Sequence, residues 1–341
     1  MAENAGFAVI GLGRWGEQHL HAYAEAPGVR LVGVCDLNAD LARRQAEAYG
    51  CPYWTRDYQD LVSRPEVAAV SVATPDFAHF EIVQAALQAG KHVLVEKPLA
   101  LDSAQAQHLA DLAAAADRLL MVDFHNRWNP AFFEVKRRLE AGELGEVQML
   151  SLRLNDTTYV PTEMLGWAAK SSPVWFLGAH TADLVYWLTG DRARRVWAVS
   201  RSRLLRERGV DTPDFFQTLI ELRGGGVAHM ENCWILSPQQ PNLFDLKLEL
   251  VGSAGTAFVD AATNRAVETY SEAGATYPDL LVCTHVHGRW GGFGLESIRH
   301  FASCVVGGHP PLVTPEEAVA NVRLLEAIHQ SAATGEPVTL E

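Results

Sequence analysis

Short apolar runs alternate with amphipathic stretches through the first third of the chain. Phe7–Gly11, Leu31–Cys35, Ala68–Ala73, Val93–Glu96 and Leu119–Phe124 are brief and apolar nearly throughout. Runs of that length, without polar alternation, predict strands buried on both faces. Between them the apolar positions recur at helical spacing. Phe77, Ile82, Val83, Ala86 and Leu87 make one face of a helix that Pro75 and Asp76 open and Gly90 ends. Asn38 is placed to cap a helix reaching Tyr49, with Gly50 at its end, and Asp102 to cap another. This alternation predicts an α/β, doubly wound parallel sheet.

After Asn126 the pattern changes. A helix over Ala131–Gly142 precedes strand candidates at Val147–Leu154, Val196–Leu204, Phe215–Leu222, Val227–Ile235, Phe244–Val251 and Thr256–Val259. Successive strands joined by turns such as Arg223-Gly224-Gly225-Gly226 predict a large, mostly antiparallel open sheet. Two helices stand apart, His180–Leu188 and Pro315–Gln330; Thr314, Pro315 and Glu317 form a capping box for the second. The division expected is a dinucleotide-binding domain over 1–124 and an α+β substrate and oligomerisation domain over 125–341. One face of the open sheet needs cover, and a homodimer or homotetramer through it would provide that.

The 341 residues suit two domains, each able to bury a core. A formal net charge of -13 argues against nucleic-acid or anionic-membrane binding. No apolar run approaches the roughly 18 residues of a membrane span. A strand beginning by Phe7 leaves no room for a signal peptide. The five cysteines are odd in number and form no C-x-x-C pair, which fits a reduced, cytoplasmic protein.

Two motifs carry the chemistry. Gly11-Leu12-Gly13-Arg14-Trp15-Gly16 lies between a strand and a helix. In such a turn the first glycine permits the bend, the second admits a pyrophosphate and the third lets helix and sheet pack closely. Asp36 ends the second strand, 20 residues after Gly16, where a carboxylate can bond ribose hydroxyls and repel a 2′-phosphate. The reading is NAD, with NADP disfavoured; a glycine turn with a capping aspartate is the alternative. Thr74 and Pro75 end the third strand beside the nicotinamide side of the groove. His79 is a ligand contact or a surface helix residue. Lys97 follows a buried strand and precedes Pro98, which holds it extended. Partial desolvation there would favour its neutral form and let it exchange protons; the residues alone equally allow a structural lysine. Glu96 can tie down the backbone or pair with Lys97.

The whole chain, residues 6 to 335, resembles the Gfo/Idh/MocA oxidoreductases, the glucose–fructose oxidoreductase and inositol dehydrogenase family. The resemblance rests on the glycine motif with His19, on Asp36, Ala73-Thr74-Pro75 and Glu96-Lys97-Pro98. It extends to Phe124-His125-Asn126-Arg127-Trp128-Asn129-Pro130 and Gly178-Ala179-His180-Thr181-Ala182-Asp183. It implies an NAD(P)-dependent enzyme moving hydride between nicotinamide and a sugar, cyclitol or related polyhydroxy substrate, and a Lys97–Pro98 bond that is often cis. By it, Arg14, Trp15, Glu96 and Lys97 join the cofactor site, Lys97 relays a proton and His180 is the acid or base. Asp183 orients the imidazole or binds a hydroxyl, and Arg127 and Asn126 contact cofactor or substrate. Tyr159 is placed to bond a sugar hydroxyl. The family pattern has an aspartate four residues before this histidine; here the residue is Phe176. Lys170 is a candidate substitute that suits a substrate with an acidic or carbonyl group. Phe176 also motivates an alternative, a non-catalytic NAD-dependent sensor; an epimerase or lyase with tightly held NAD is another. His285 and His287 alternate on one segment, too few for a metal site, so none is expected, and Arg289 with Trp290 is a candidate sugar platform.

Overall fold

The computed structural model describes residues 4–262, 267–272 and 274–340. The chain forms two compact units, 1–128 with 281–322, and 129–280 with 323–341.

The first unit opens with β1 (Ala5–Ile10), α1 (Arg14–Ala24), β2 (Val29–Cys35), α2 (Ala39–Tyr49), β3 (Trp54–Thr55) and α3 (Tyr58–Val62). It continues with β4 (Ala69–Val72), α4 (His79–Gln88), β5 (His92–Val95), α5 (Ser103–Ala116) and β6 (Leu120–Val122). All six strands run parallel in the order β3-β2-β1-β4-β5-β6. The order reverses between β1 and β4, and in open α/β sheets the ligand crevice lies at such a reversal, outside the carboxyl ends of the strands. Val9, Val34, Val70, Val93 and Leu94 are fully buried, as apolar runs without alternation require. The caps follow the sequence: Asn38 accepts from the Leu41 amide at 3.2 Å and Asp102 from the Gln105 amide at 2.8 Å. Gly50 closes α2 in the left-handed conformation.

The second unit holds α6 (Pro130–Glu140), β7 (Val147–Thr157), α7 (Ala179–Thr189), β8 (Ala193–Arg201) and α8 (Leu204–Glu207). Then come β9 (Phe215–Leu222), β10 (Val227–Leu236), β11 (Phe244–Gly252), β12 (Thr256–Asp260), β13 (Thr269–Ser271) and β14 (Gly274–Thr276). The large sheet has the order β12-β11-β7-β10-β9-β8-β17, where β17 is Val338–Thr339. It is antiparallel except where β7 and β10 pair in parallel. Leu150, Leu152, Ile220 and Leu248 point into the core beneath α7, while Phe258, Glu249, Ser151, His229, Leu219 and Trp197 form a row across the other face.

Two expectations need correction. The strand read as Val196–Leu204 stops at Arg201, because the Asp214 carboxylate accepts from the amides of Arg203, Leu204 and Leu205 and winds them into α8. The domain read as 125–341 does not keep all of that span. The segment with β15 (Thr284–Val286), β16 (Arg289–Gly291) and α9 (Phe293–Gly307) belongs to the first unit, where Phe301 packs edge-on against Phe7. Apolar positions Leu295, Ile298, Phe301 and Ala302 encode that helix, and they are buried. The last helix, α10, is Pro315–Thr334. At its start the Thr314 hydroxyl accepts from the Glu317 amide at 3.3 Å, and Glu317 accepts from the Thr314 amide at 3.0 Å.

Candidate functional site

The glycine turn is built for close approach. Gly11 has φ +87, and a Cβ there would meet the Ala73 carbonyl oxygen at 2.6 Å. A Cβ on Gly16 would sit 1.9 Å from the Gly11 oxygen, so α1 packs on the turn only as glycine allows. Gly13 has open space around its missing side chain, and no side chain caps α1 behind it. That leaves the first amides of the helix for an anion. Asp36 ties the turn to the end of β2: one carboxylate oxygen accepts from the Leu12 amide at 2.8 Å, the other from the Asn38 amide at 2.8 Å. These residues fit the two phosphates and a ribose of a dinucleotide. Arg14 is exposed at this turn, and Trp15, half-buried, lies 5.0 Å from the His125 ring.

Across the switch point, Lys97 is half-buried after β5, and the Lys97–Pro98 peptide is cis. His79 is fully enclosed, with its ring nitrogens 2.7 Å from the Pro98 carbonyl and 2.9 Å from that of Thr74. It therefore joins the Thr74-Pro75 turn to the segment after Lys97. Burial pushes its pKa down, outweighing the two carbonyls that favour its charge. His125 is held down to about 3 by burial and then by the Lys97 charge, so both imidazoles that feel the Lys97 charge are neutral at neutral pH.

Glu96 points into the core rather than into the crevice. It meets His19 Nε2 at 3.1 Å, and His19 Nδ1 lies 3.0 Å from the Ser71 hydroxyl. Tyr23 OH contacts the same hydroxyl at 2.5 Å. Asp123, at the end of β6, completes the group, with its carboxylate within 4.8 Å of the ligand-capable atoms of both Glu96 and His19. Burial raises Glu96 to about 7 against the opposing Lys97 charge, and it lowers His19 to about 4. Asp123 is raised well above the usual range by burial and then by Glu96. Asp123, Ser71 and Tyr23 were not singled out by the sequence. A lone aspartate closing an apolar run, as at Leu120-Met121-Val122-Asp123, is the one signal that pointed there.

Arg127 is buried in the first unit, where it donates to Glu317 at 3.1 Å and to the Leu312 carbonyl at 3.4 Å. Trp290 stacks on His21 at 3.7 Å and lies 4.7 Å from His285, so one face of the proposed platform is covered. His287 occupies the hairpin turn at φ +50.

In the second unit a π-helical turn, Val174–Gly178, runs directly into α7. His180 and Asp183 are buried one turn apart on that helix. Phe176 packs against Trp167 at 5.9 Å and Trp234 at 5.7 Å, so an aromatic cluster stands one turn before His180. Tyr159 is 45% exposed, and Lys170, at the end of the turn Ala168–Lys170, is exposed.

A glycine cradle with an acidic residue after β2, at the reversal of a parallel sheet, defines a dinucleotide-binding fold. Residues 5–124 match the NAD-binding Rossmann-fold model of an oxidoreductase family, and residues 136–340 match its C-terminal alpha/beta domain. The chain belongs to that family, the Gfo/Idh/MocA oxidoreductases. It is 29% identical to scyllo-inositol 2-dehydrogenase (NAD(+)) of Bacillus subtilis, covering 98% of this chain and 96% of that one. It is 27% identical to D-apiose dehydrogenase of Paraburkholderia graminis, covering 98% and 89%. Among solved structures it is similar to GenD2 from gentamicin A biosynthesis in complex with NAD, at TM-score 0.85, 26% identity and coverage of 100% and 97%.

Proposed function

We propose that the protein is an NAD-dependent dehydrogenase or reductase that interconverts a secondary alcohol and a ketone in a sugar, cyclitol or related polyhydroxy compound. The observation that carries this is the Gly11–Gly16 cradle tied to Asp36, in a chain that matches an NAD-binding oxidoreductase family over both domains. Names of full-length relatives, an inositol and an apiose dehydrogenase, support the substrate class. Bound NAD supplies the hydride acceptor or donor. Lys97 polarises the reacting oxygen and relays a proton, and His180 takes the hydroxyl proton in oxidation and returns it in reduction. Asp183 orients His180 or holds a second hydroxyl, and Tyr159 and Lys170 contact the substrate.

Screening single turnovers at the reduced-nicotinamide absorbance over cyclitols, sugars and sugar acids tests the reading. Reduction with at least one class is expected. Tight NAD binding with no transfer to any substrate would instead favour the sensor that Phe176 motivates. Turnover with the cofactor retained would favour an epimerase or lyase.

The outward face of the large sheet carries Met149, Trp197, Leu219 and Phe258, between 45% and 73% exposed. Their exposure supports a homodimer or homotetramer through that face. Free cysteines at 35, 51, 233, 283 and 304 support a reducing compartment, the cytoplasm. Among the described residues no helix is long and apolar enough to cross a membrane.

A further inference from the structure

The buried group beneath Lys97 has a hydrogen-bond direction that can be worked out from its end. Among the described residues Tyr23 OH has one polar partner, Ser71 Oγ; Ser71 has two, Tyr23 and His19; His19 has two, Ser71 and Glu96. All are sealed from water. If Glu96 were the donor, its proton would face His19 Nε2, His19 Nδ1–H would face Ser71, and Ser71 would donate to Tyr23. The Tyr23 proton would then have no acceptor among the described residues, and an unsatisfied buried donor is disfavoured. The reverse order satisfies every donor: Tyr23 O–H to Ser71, Ser71 O–H to His19 Nδ1, His19 Nε2–H to Glu96. Glu96 is then the terminal acceptor, and the Lys97 charge and the Lys97 backbone N–H both favour its ionised form.

A second carboxyl stands beside it. Asp123 lies within 4.8 Å in the same sealed space, with His19 and Ser297 as further polar neighbours. Two carboxyls so close in a dry site do not both ionise. We propose that Asp123 is a neutral carboxylic acid donating to Glu96, and that Glu96 is a buried carboxylate acting as the fixed counter-charge of Lys97. Both are positioning residues: they act through the lysine and its segment. His79 and His125, the imidazoles that feel the Lys97 charge, are neutral, and the buried Asp76 faces His79 from the turn before α4. The raised titration of both carboxyls agrees with a single shared proton above neutral pH.

The inference rests on the reading of Lys97 as the proton-handling amine, but its test needs no turnover. Infrared spectroscopy of the full chain at pH 8 reads a neutral carboxylic acid, and mass spectrometry reads acylation of Lys97 across pH, with and without NAD. The wild type should show the acid band, and Asp123→Asn should remove it. The asparagine amide still donates to Glu96, so the Lys97 acylation profile should stay in place. Glu96→Gln removes the charge and should move that profile down by roughly one to three pH units. The opposite pattern, a shifted profile in Asp123→Asn and none in Glu96→Gln, would overturn the assignment. So would absence of the acid band in the wild type, a result that depends on no variant folding. A divalent cation recovered in stoichiometric amount and lost in Asp123→Asn would overturn it as well.

Discussion

Asp36 Oδ2 accepts a hydrogen bond from the Leu12 amide at 2.8 Å, across 24 residues of sequence. The carboxylate proposed to bind a ribose therefore also shapes the glycine turn proposed to bind the phosphates. Asp36→Ala should remove a charged hydrogen bond and loosen that turn. A loss of about 1.5–3 kcal/mol in NAD binding is expected, on the order of tenfold to a hundredfold in Kd. Because the same charge repels a 2′-phosphate, NADP affinity should fall less, or rise. Titration calorimetry with both nucleotides measures the ratio. Equal NAD and NADP affinity in the unmodified protein would contradict the role given to Asp36.

Arg127 separates a structural role from a binding role. Its guanidinium is paired with Glu317, whose carboxylate also receives the Thr314 amide that starts α10. Arg127→Ala should destabilise the protein by about 2–3 kcal/mol, the scale of a charged hydrogen bond lost in a buried place. Urea unfolding reads this directly. A substrate KM that rises sharply while the unfolding midpoint stays fixed would restore the substrate contact read from the sequence.

The pH dependence of stability follows from Glu96. Burial raises it from 4.5 to about 7 in the folded protein. Between those values the native state binds more protons than the unfolded one, so stability is greatest at the acid end and declines as pH rises to 7. Glu96→Gln, which mimics the neutral acid, should lack this decline. The difference between wild type and variant should change by roughly 2–3 kcal/mol between pH 5 and pH 8. Urea midpoints at the two pH values give the answer; parallel behaviour of both proteins would show that Glu96 is not held in a sealed site.

Phe176 places aromatic surface where the family pattern has an acid, and Lys170 is the exposed cation on the neighbouring turn. A substrate with a carboxylate should use Lys170. Lys170→Ala should lower kcat/KM for sugar acids by about two- to fivefold, a charged contact made in water-exposed surroundings, and leave uncharged cyclitols essentially unchanged. Steady-state kinetics on matched acid and alcohol pairs decide this. Cyclitols that greatly outperform sugar acids in the wild type would remove Lys170 from the site.

Much of the first unit was legible because its rules are local. A glycine whose φ is +87, an asparagine that bonds an amide three residues on and a capping threonine each act within a few residues. What was hidden depends on distant partners. Asp214 ends β8 early by collecting three amides from residues about ten positions back, and nothing near Val196–Leu204 announces it. The segment 281–322 reads as part of the second domain until Phe301 is seen against Phe7. Glu96 was legible as an acid beside a lysine, but its direction was not. Residues 19, 71, 96 and 123 meet because β4, β5 and β6 are neighbours in the sheet order and α1 packs on β4.

The central claim is hydride transfer from a carbinol carbon to nicotinamide. A substrate carrying deuterium at that carbon, incubated with the protein and NAD for one turnover, tests it by mass spectrometry of the recovered nucleotide. The account predicts deuterium on the nicotinamide ring, and its loss when His180→Asn or Lys97→Met replaces the wild type. Deuterium that stays on the substrate, or passes to water, would contradict it.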